Sequence, residues 1–184
     1  MSVALNLDAA RARVAAAARA VGREPSDVTI VAVGKRQPID RVLAACDLGQ
    51  QDFGESTAQG LEQAAEGMLA RGRQVRWHFV GRLQTNKVKQ VVRYASVIHS
   101  VDRMELAREI SKRAPESSVD VLLQVNIGEE PQKGGVAPPD LVALAAEVID
   151  LPRVRLVGLM AIPPVEGDPR PHFEHLAALG RDLQ

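Results

Sequence analysis

The sequence has little cysteine, few aromatic residues and no excess charge of either sign. Cys46 is the one cysteine, which excludes an internal disulfide and is typical of a reducing compartment. Aromatic residues make up 3% of the 184 residues, too few for the stacking surfaces that bind single-stranded nucleic acid. Lys plus Arg and Asp plus Glu are equal at 23 each, so no overall field attracts nucleic acid or an anionic membrane.

Long apolar runs and several well-known catalytic motifs are also absent. No stretch reaches the ~20 apolar residues of a membrane span. Met1 to Leu7 lack the basic start and apolar core of a signal peptide, so we expect a soluble cytoplasmic protein. The sequence has no Gly-x-Ser-x-Gly elbow, Walker loop, cysteine pair or His-Glu-x-x-His. His172 and His175 lack further ligands nearby, so we predict no metal site.

What is present is a repeated alternation of strand and helix patterns. The composition is that of a folded domain, and we predict one domain over residues 1–184 with an N-terminal helix at residues 1–24. Strand patterns begin near residues 28, 52, 75, 96, 119 and 154, with a helical pattern in every interval. Repeated βα units predict a parallel sheet. The pattern alone fits either a closed barrel, which typically takes ~250 residues, or an open doubly wound sheet.

Local signals predict the ends of several helices. Thr57 to Leu69 reads as a helix weakened at its two glycines, Gly60 and Gly67. Asn86 to Tyr94 reads as a second helix. Asp102 is a candidate N-cap for a third helix, since Glu105 follows it at capping-box spacing.

The first strand pattern, Val28 to Lys35, is apolar at nearly every position and ends in Gly34 and Lys35. Such a run predicts a parallel strand that is buried on both faces. Lys35 then lies at the carboxyl end of that strand, the edge where α/β folds bind ligands. A lysine amine in a partly desolvated site can condense with a carbonyl, although a solvated lysine that closes a strand is the commoner case.

Polar residues also follow the other strand patterns and are expected to meet Lys35 at the same edge of the sheet. A carbonyl-bearing ligand would suit this set, with Lys35 as its covalent anchor. A core role remains open for both histidines and for the methionine. The set consists of Lys35, Glu55, Ser56, His78, His99, Asn126 and Met160.

Six collinear segments between residues 28 and 184 resemble the pyridoxal 5′-phosphate homeostasis proteins, the YggS/PROSC family, which are relatives of the alanine racemase N-terminal domain. The two most specific segments are Trp77 to Lys87 and Gly158 to Pro164. The others are Val31 to Lys35, Asp52 to Glu55, Ile98 to Asp102 and Leu123 to Asn126.

This resemblance implies a (β/α)8 TIM-type barrel of the pyridoxal phosphate (PLP) fold type III, with Lys35 holding the cofactor as a covalent aldimine (Schiff base). It implies a carrier that buffers or delivers PLP without substrate turnover, with PLP-dependent apoenzymes as recipients. Ser56, His78, Asn126 and Met160 match positions in or close to the family's cofactor pocket. The alternatives are a racemase-like PLP enzyme, which would need an acid/base tyrosine although Tyr94 is the only one, and a truncated interaction protein with a decayed site.

The sequence departs from the family pattern at three points. Gly34 stands where the family has Ser or Thr, and Ser56 stands where it has Asn. The chain also ends at Gln184 after the sixth helix, so the last two strands of the barrel, with their phosphate cradle, have no counterpart. We expect much weaker PLP binding than in a relative that carries this segment. The chain is then a monomer, or a dimer if a second copy covers the open edges.

Overall fold

The computed structural model describes residues 2–183 as one six-stranded parallel sheet with helices between the strands. The strands are β1 (Ala32–Val33), β2 (Asp52–Glu55), β3 (Arg76–Phe79), β4 (Ala95–Val101), β5 (Val119–Gln124) and β6 (Val154–Met160). The helices are α1 (Val3–Ala20), α2 (Ile39–Asp47), α3 (Ala58–Leu69), α4 (Val88–Val91), α5 (Met104–Arg113), α6 (Leu141–Ile149) and α7 (Arg170–Asp182). No helix in residues 2–183 is both long and apolar enough to cross a bilayer.

The order of the strands distinguishes between the two architectures that the sequence left open. The sheet runs β1-β2-β3-β4-β5-β6, and every neighbouring pair is parallel. A doubly wound sheet reverses its order at a switch point, whereas the strands of a barrel follow one another in chain order. The fold is therefore TIM-barrel-like. Since parallel crossovers are right-handed, this order also places the helices that connect the strands, α2 to α6, on one face of the sheet.

The face that carries the helices, here called the outer face, holds the apolar core. Phe53, Phe79, Ile98 and Val121 point to it and are at most 2% exposed. They pack against apolar side chains of the helices, and the Phe53 and Trp77 rings lie 5.9 Å apart between their centroids. The opposite face is here called the inner face.

The prediction that the first strand is buried on both faces is wrong. Only Ala32 and Val33 form strand β1, and Val33 and Val28 are 44% and 36% exposed. The reason is position in the sheet. Among the described residues β1 pairs only with β2, so one of its edges and part of its inner face have no cover.

Three local helix predictions also need correction. The helix predicted from Asn86 is a single α-helical turn, α4, after a 3₁₀ turn at Thr85–Lys87. Asp102 does not cap α5. Its carboxylate pairs with the guanidinium of Arg103, the N-cap residue, at 2.6 Å, and the Arg103 side chain makes no capping hydrogen bond to the helix. Helix α3 is continuous through both of its glycines. At Gly67 a Cβ would lie 3.2 Å from Ile39, so this glycine allows α2 and α3 to pack closely.

Candidate functional site

Lys35 lies in a tight turn directly after β1. The Gln37 N–H donates to the Gly34 carbonyl at 2.9 Å, and Arg36 adopts a left-handed conformation with φ of 60°. The side chain of Lys35 is exposed and borders an open cleft of about 710 Å³. Glu55 and Ser56, from the end of β2, line the same cleft.

Glu55 is the buried acidic group of this cleft, with 5% of its surface exposed. Burial raises the pKa of its carboxyl group, while a backbone hydrogen bond from Ser56 and the positive charge of Lys35 act in the opposite direction. Two glycines make room for the carboxyl group. A Cβ at Gly34 would lie 3.2 Å from Oε1, and a Cβ at Gly60 would lie 3.0 Å from Oε2. Gly34, the residue before Lys35, departs from the family pattern. Because it has no side chain, it leaves room for the buried carboxyl group of Glu55.

Ser56 is half-buried in the cleft, and its backbone lies against Gly81, two residues after the end of β3. A Cβ at Gly81 would lie 1.9 Å from the Ser56 carbonyl oxygen, far inside van der Waals contact. Only glycine fits at this position. The close approach of these two backbones fixes the turn that presents Ser56 to the cleft.

His78 lies in the middle of the sheet, on the inner face. It is in register with Gly54 of β2 and Val97 of β4 and is 5% exposed. Its Nε2 lies 2.9 Å from Oδ1 of Asp52, and its Nδ1 lies 2.8 Å from Nε2 of His99. The three side chains form a hydrogen-bonded chain across β2, β3 and β4, which the sequence did not predict.

Both imidazoles of this chain favour the neutral form. Burial lowers the pKa of His78, although Asp52 partly opposes the shift. Burial, with the charges of His78 and Arg76, lowers the pKa of His99 to about 4.

A second polar group on the inner face joins Arg76, Asp120 and Arg155. Asp120 accepts from Arg76 at 2.9 Å and from the Arg155 Nε at 2.7 Å, and it is 7% exposed. The interior of a parallel barrel is usually filled by branched apolar side chains, so charged residues here are unusual. Their signal in the sequence was the alternation of charged and apolar residues within Arg76–Phe79 and Val119–Val121.

Asn126 lies two residues beyond β5, and Met160 is the last residue of β6. The Asn126 amide exchanges two hydrogen bonds with the backbone of Glu130, at 3.0 and 3.2 Å, and so ties down the loop after β5. Met160 is in register with Gln124, is half-buried, and accepts a hydrogen bond at its carbonyl from the Val125 N–H.

The structure thus brings together some of the predicted site residues. Lys35 and Ser56 share one cleft, with Glu55 beside them. His78, Asn126 and Met160 do not line that cleft; they lie on the inner face or at its carboxyl edge. Within residues 2–183 no group of three His, Cys, Asp or Glu side chains is arranged so that it could hold a metal ion.

The chain matches a protein-family model and curated proteins over most of its length. The family model of the alanine racemase N-terminal domain matches residues 5–181. A pyridoxal phosphate homeostasis protein of Pseudomonas aeruginosa is 42% identical over 165 residues, covering 88% of this chain and 70% of that protein. The protein of the same name from Escherichia coli K12 is 37% identical over 175 residues, with 94% and 75% covered.

Solved structures agree with these matches. An unknown protein from Bifidobacterium adolescentis is 32% identical with a TM-score of 0.89, over 98% of this chain and 78% of that chain. PipY of Synechococcus elongatus, solved with PLP bound, is 31% identical with a TM-score of 0.79, over 95% of this chain and 82% of that chain. Alanine racemase of E. faecalis, at 16% identity and a TM-score of 0.65 over 92% of this chain and 48% of that chain, shares the fold. The chain belongs to the pyridoxal phosphate homeostasis proteins, the YggS/PROSC family, within the group that carries the alanine racemase N-terminal domain.

Proposed function

We propose that this protein binds pyridoxal 5′-phosphate and takes part in PLP homeostasis, with Lys35 as the anchor. The observation that carries the proposal is the cleft in which an exposed lysine lies beside the buried carboxyl of Glu55. Its volume of about 710 Å³ lies within the usual range of small-molecule sites. The curated relatives that carry the homeostasis name and the PLP-bound structure of PipY support the same ligand.

The anchor we propose is a covalent aldimine, a reversible Schiff base that the Lys35 amine would form with the aldehyde of PLP with loss of one water molecule. When bound, PLP supplies a carbonyl carbon that a lysine amine can attack. The chain's own residues hold and orient it: Ser56 offers a hydroxyl in the cleft, and His78, Asn126 and Met160 are proposed to lie around the ligand on the inner face.

We further propose that the protein is a carrier without substrate turnover. A racemase needs a second acid/base group, and Tyr94 is the one tyrosine of the sequence. The Tyr94 hydroxyl donates to Glu66 of α3 at 2.8 Å, and Tyr94 does not line the Lys35 cleft.

Three wider features belong to the same proposal. The six strands correspond to the first six of an eight-stranded barrel, whose last two strands have no counterpart in residues 2–183. PLP-dependent apoenzymes in the cytoplasm receive the cofactor. The protein is a monomer, or a dimer if a second copy covers the open edges of β1 and β6.

Borohydride trapping tests the anchor. The protein is incubated with PLP and reduced, and its peptides are then analysed by mass spectrometry. We expect one pyridoxyl adduct, on Lys35, and an absorbance change on adding PLP that Lys35→Met abolishes. Lys87→Met, which removes another exposed lysine, is the matched control and should leave both signals intact.

An adduct spread over several lysines, or an absorbance change that survives Lys35→Met, would contradict the anchor. An amino-acid racemisation assay checks the carrier assignment. Turnover above the rate of free PLP would replace the carrier with an enzyme.

A further inference from the structure

The inner face carries a hydrogen-bonded chain that the Lys35 cleft does not explain. Asp52, His78 and His99 come from three neighbouring strands, with heavy-atom distances of 2.9 and 2.8 Å along the chain. The side chain of His78 is 7% exposed and that of Asp52 is 21% exposed. Buried polar networks are costly unless every member is satisfied, so such a chain fixes its side chains in one arrangement.

The chemistry of the three groups determines where their protons lie. An ionised Asp52 can only accept, so Nε2 of His78 carries the proton that points to it. A neutral His78 then has an unprotonated Nδ1, which must accept from the Nε2–H of His99. His99, also neutral, is left with an unprotonated Nδ1, and among residues 2–183 the one hydrogen bond of its ring is that to His78.

The groups around the two imidazoles reinforce this arrangement. Asp52 from β2 and Asp120 from β5 are the acidic groups that face them, and Arg76 from β3 is the cation. Arg155 from β6 pairs with Asp120 and completes the surroundings. The two carboxylates and two guanidiniums balance, so no net charge forces either ring to take up a second proton.

His99 lies on the inner face and towards the same edge of the sheet as Lys35. Val33, Gly54, His78 and Val97 lie side by side in the register of β1 to β4. Lys35 and His99 each come two residues after a member of that row. Since side chains alternate along a strand, His99 lies on the inner face, one step nearer to the carboxyl edge that carries Lys35.

We propose that His99 contacts the ligand held at Lys35 as a hydrogen-bond acceptor and that Asp52 is the positioning residue that fixes its tautomer through His78. The inference rests on the proposed function, since it names what else the same site uses to hold its ligand. The ligand group that it recognises is a hydroxyl or ring N–H donor on the aromatic aldehyde.

The tautomers are measured first, in the ligand-free protein, from the ¹⁵N shifts of the imidazole rings. We expect an Nε2–H tautomer for both His78 and His99, with Nδ1 of His99 unprotonated from pH 6 to 8. A His99 ring with its proton on Nδ1, or with both tautomers populated equally, would overturn the inference without reference to PLP.

Variants then test the contact, by absorbance titration with PLP. Asp52→Leu should release the His99 tautomer and weaken PLP binding about five- to tenfold, the effect of one hydrogen bond. Asp52→Asn keeps an acceptor oxygen and should restore both readouts. Asp150→Leu, the same change at an exposed site at the end of α6, is the matched control.

His99 itself provides an independent pair of variants in case Asp52→Leu does not fold. His99→Leu should weaken PLP binding by the same factor, and His99→Gln, which keeps an acceptor, should recover part of it. If Lys35 is trapped by borohydride but His99→Leu binds PLP as tightly as the parent, the inference fails and the proposed function stands. If borohydride never traps PLP on Lys35, the proposed function fails and this inference fails too, whatever the tautomers of the two histidines.

Discussion

At the scale of single residues, three glycines shape the site because they have no side chain. Gly34 and Gly60 leave space for the Glu55 carboxyl, and Gly81 lets its strand approach the Ser56 backbone. Each of these glycines lies in or beside the Lys35 cleft. Their shared role is to bring backbone and carboxyl groups close to the lysine.

Replacing Gly81 by alanine should be severe. The added Cβ would lie 1.9 Å from a backbone oxygen, so the chain must move, at a cost we expect to be about 3 kcal/mol or more. Urea denaturation measures the loss. Gly180→Ala is the control, because its Cβ would lie 3.8 Å from Leu159 within helix α7, and it should be neutral or stabilising. Equal effects of the two substitutions would contradict the packing described at Ser56.

His99 should make stability depend on pH. Its pKa is lowered from 6.5 to about 4 in the folded protein, so between these values the unfolded chain binds a proton that the folded chain does not. The contribution of His99 to the free energy of unfolding is therefore fully present above pH 6.5 and is lost as the pH falls towards 4. We expect this loss to be about 2 kcal/mol after allowance for the partial exposure of the ring. Urea denaturation at pH 7.5 and pH 4.5 should show this loss.

The same measurement on His99→Gln separates His99 from the carboxylates that titrate in this range. Between the two pH values, the free energy of unfolding of the variant should fall by about 2 kcal/mol less than that of the parent protein. Parallel losses in the two proteins would assign the pH dependence to other groups.

At the scale of secondary structure, helix α3 shows how one hydroxyl positions an element beside the site. The Thr57 Oγ1 accepts from the Gly60 N–H at 3.1 Å and caps the helix directly after Ser56. Thr57→Ala should cost about 1 kcal/mol of unfolding free energy, because one N–H of the first turn loses its partner. Thr57→Ser keeps the hydroxyl and should recover most of it. A thermal or urea denaturation series that ranks the serine variant with the alanine variant would exclude the cap.

At the scale of the whole molecule, the sheet has a well-covered centre and two open edges within residues 2–183. Ile98, Val121 and Leu123, in the central strands β4 and β5, are fully buried, whereas β1 is two residues long and half-exposed at Val33. Amide hydrogen exchange should therefore be slowest in β4 and β5 and at least about a hundredfold faster in β1.

Exchange measured at two protein concentrations tests what covers the edges. If β1 is as protected as β4 at high concentration only, a second copy pairs with its edge and the protein is a dimer. Equal protection at both concentrations would contradict the uncovered edge.

The sequence by itself determined the alternation of strands and helices, since apolar periodicity is a local property. The starts of β2, β5 and β6 could be read from it, as could the lysine after the first strand. The specific segments at Trp77 and Gly158 also pointed to the family. The burial of β1 could not be predicted, because it depends on whether another strand lies beside it.

Only the tertiary structure decided which side chains meet. Asp52, His78 and His99 lie 26 and 21 residues apart along the chain and are joined by the register of parallel strands, which no local pattern encodes. The room that Gly34 gives to Glu55, and the contact of Gly81 with Ser56, likewise depend on two backbones approaching in space. Local residue patterns determine the secondary-structure elements and the position of Lys35. Strand pairing determines the hydrogen-bonded chain and the shape of the cleft, because it brings together residues that lie far apart in the sequence.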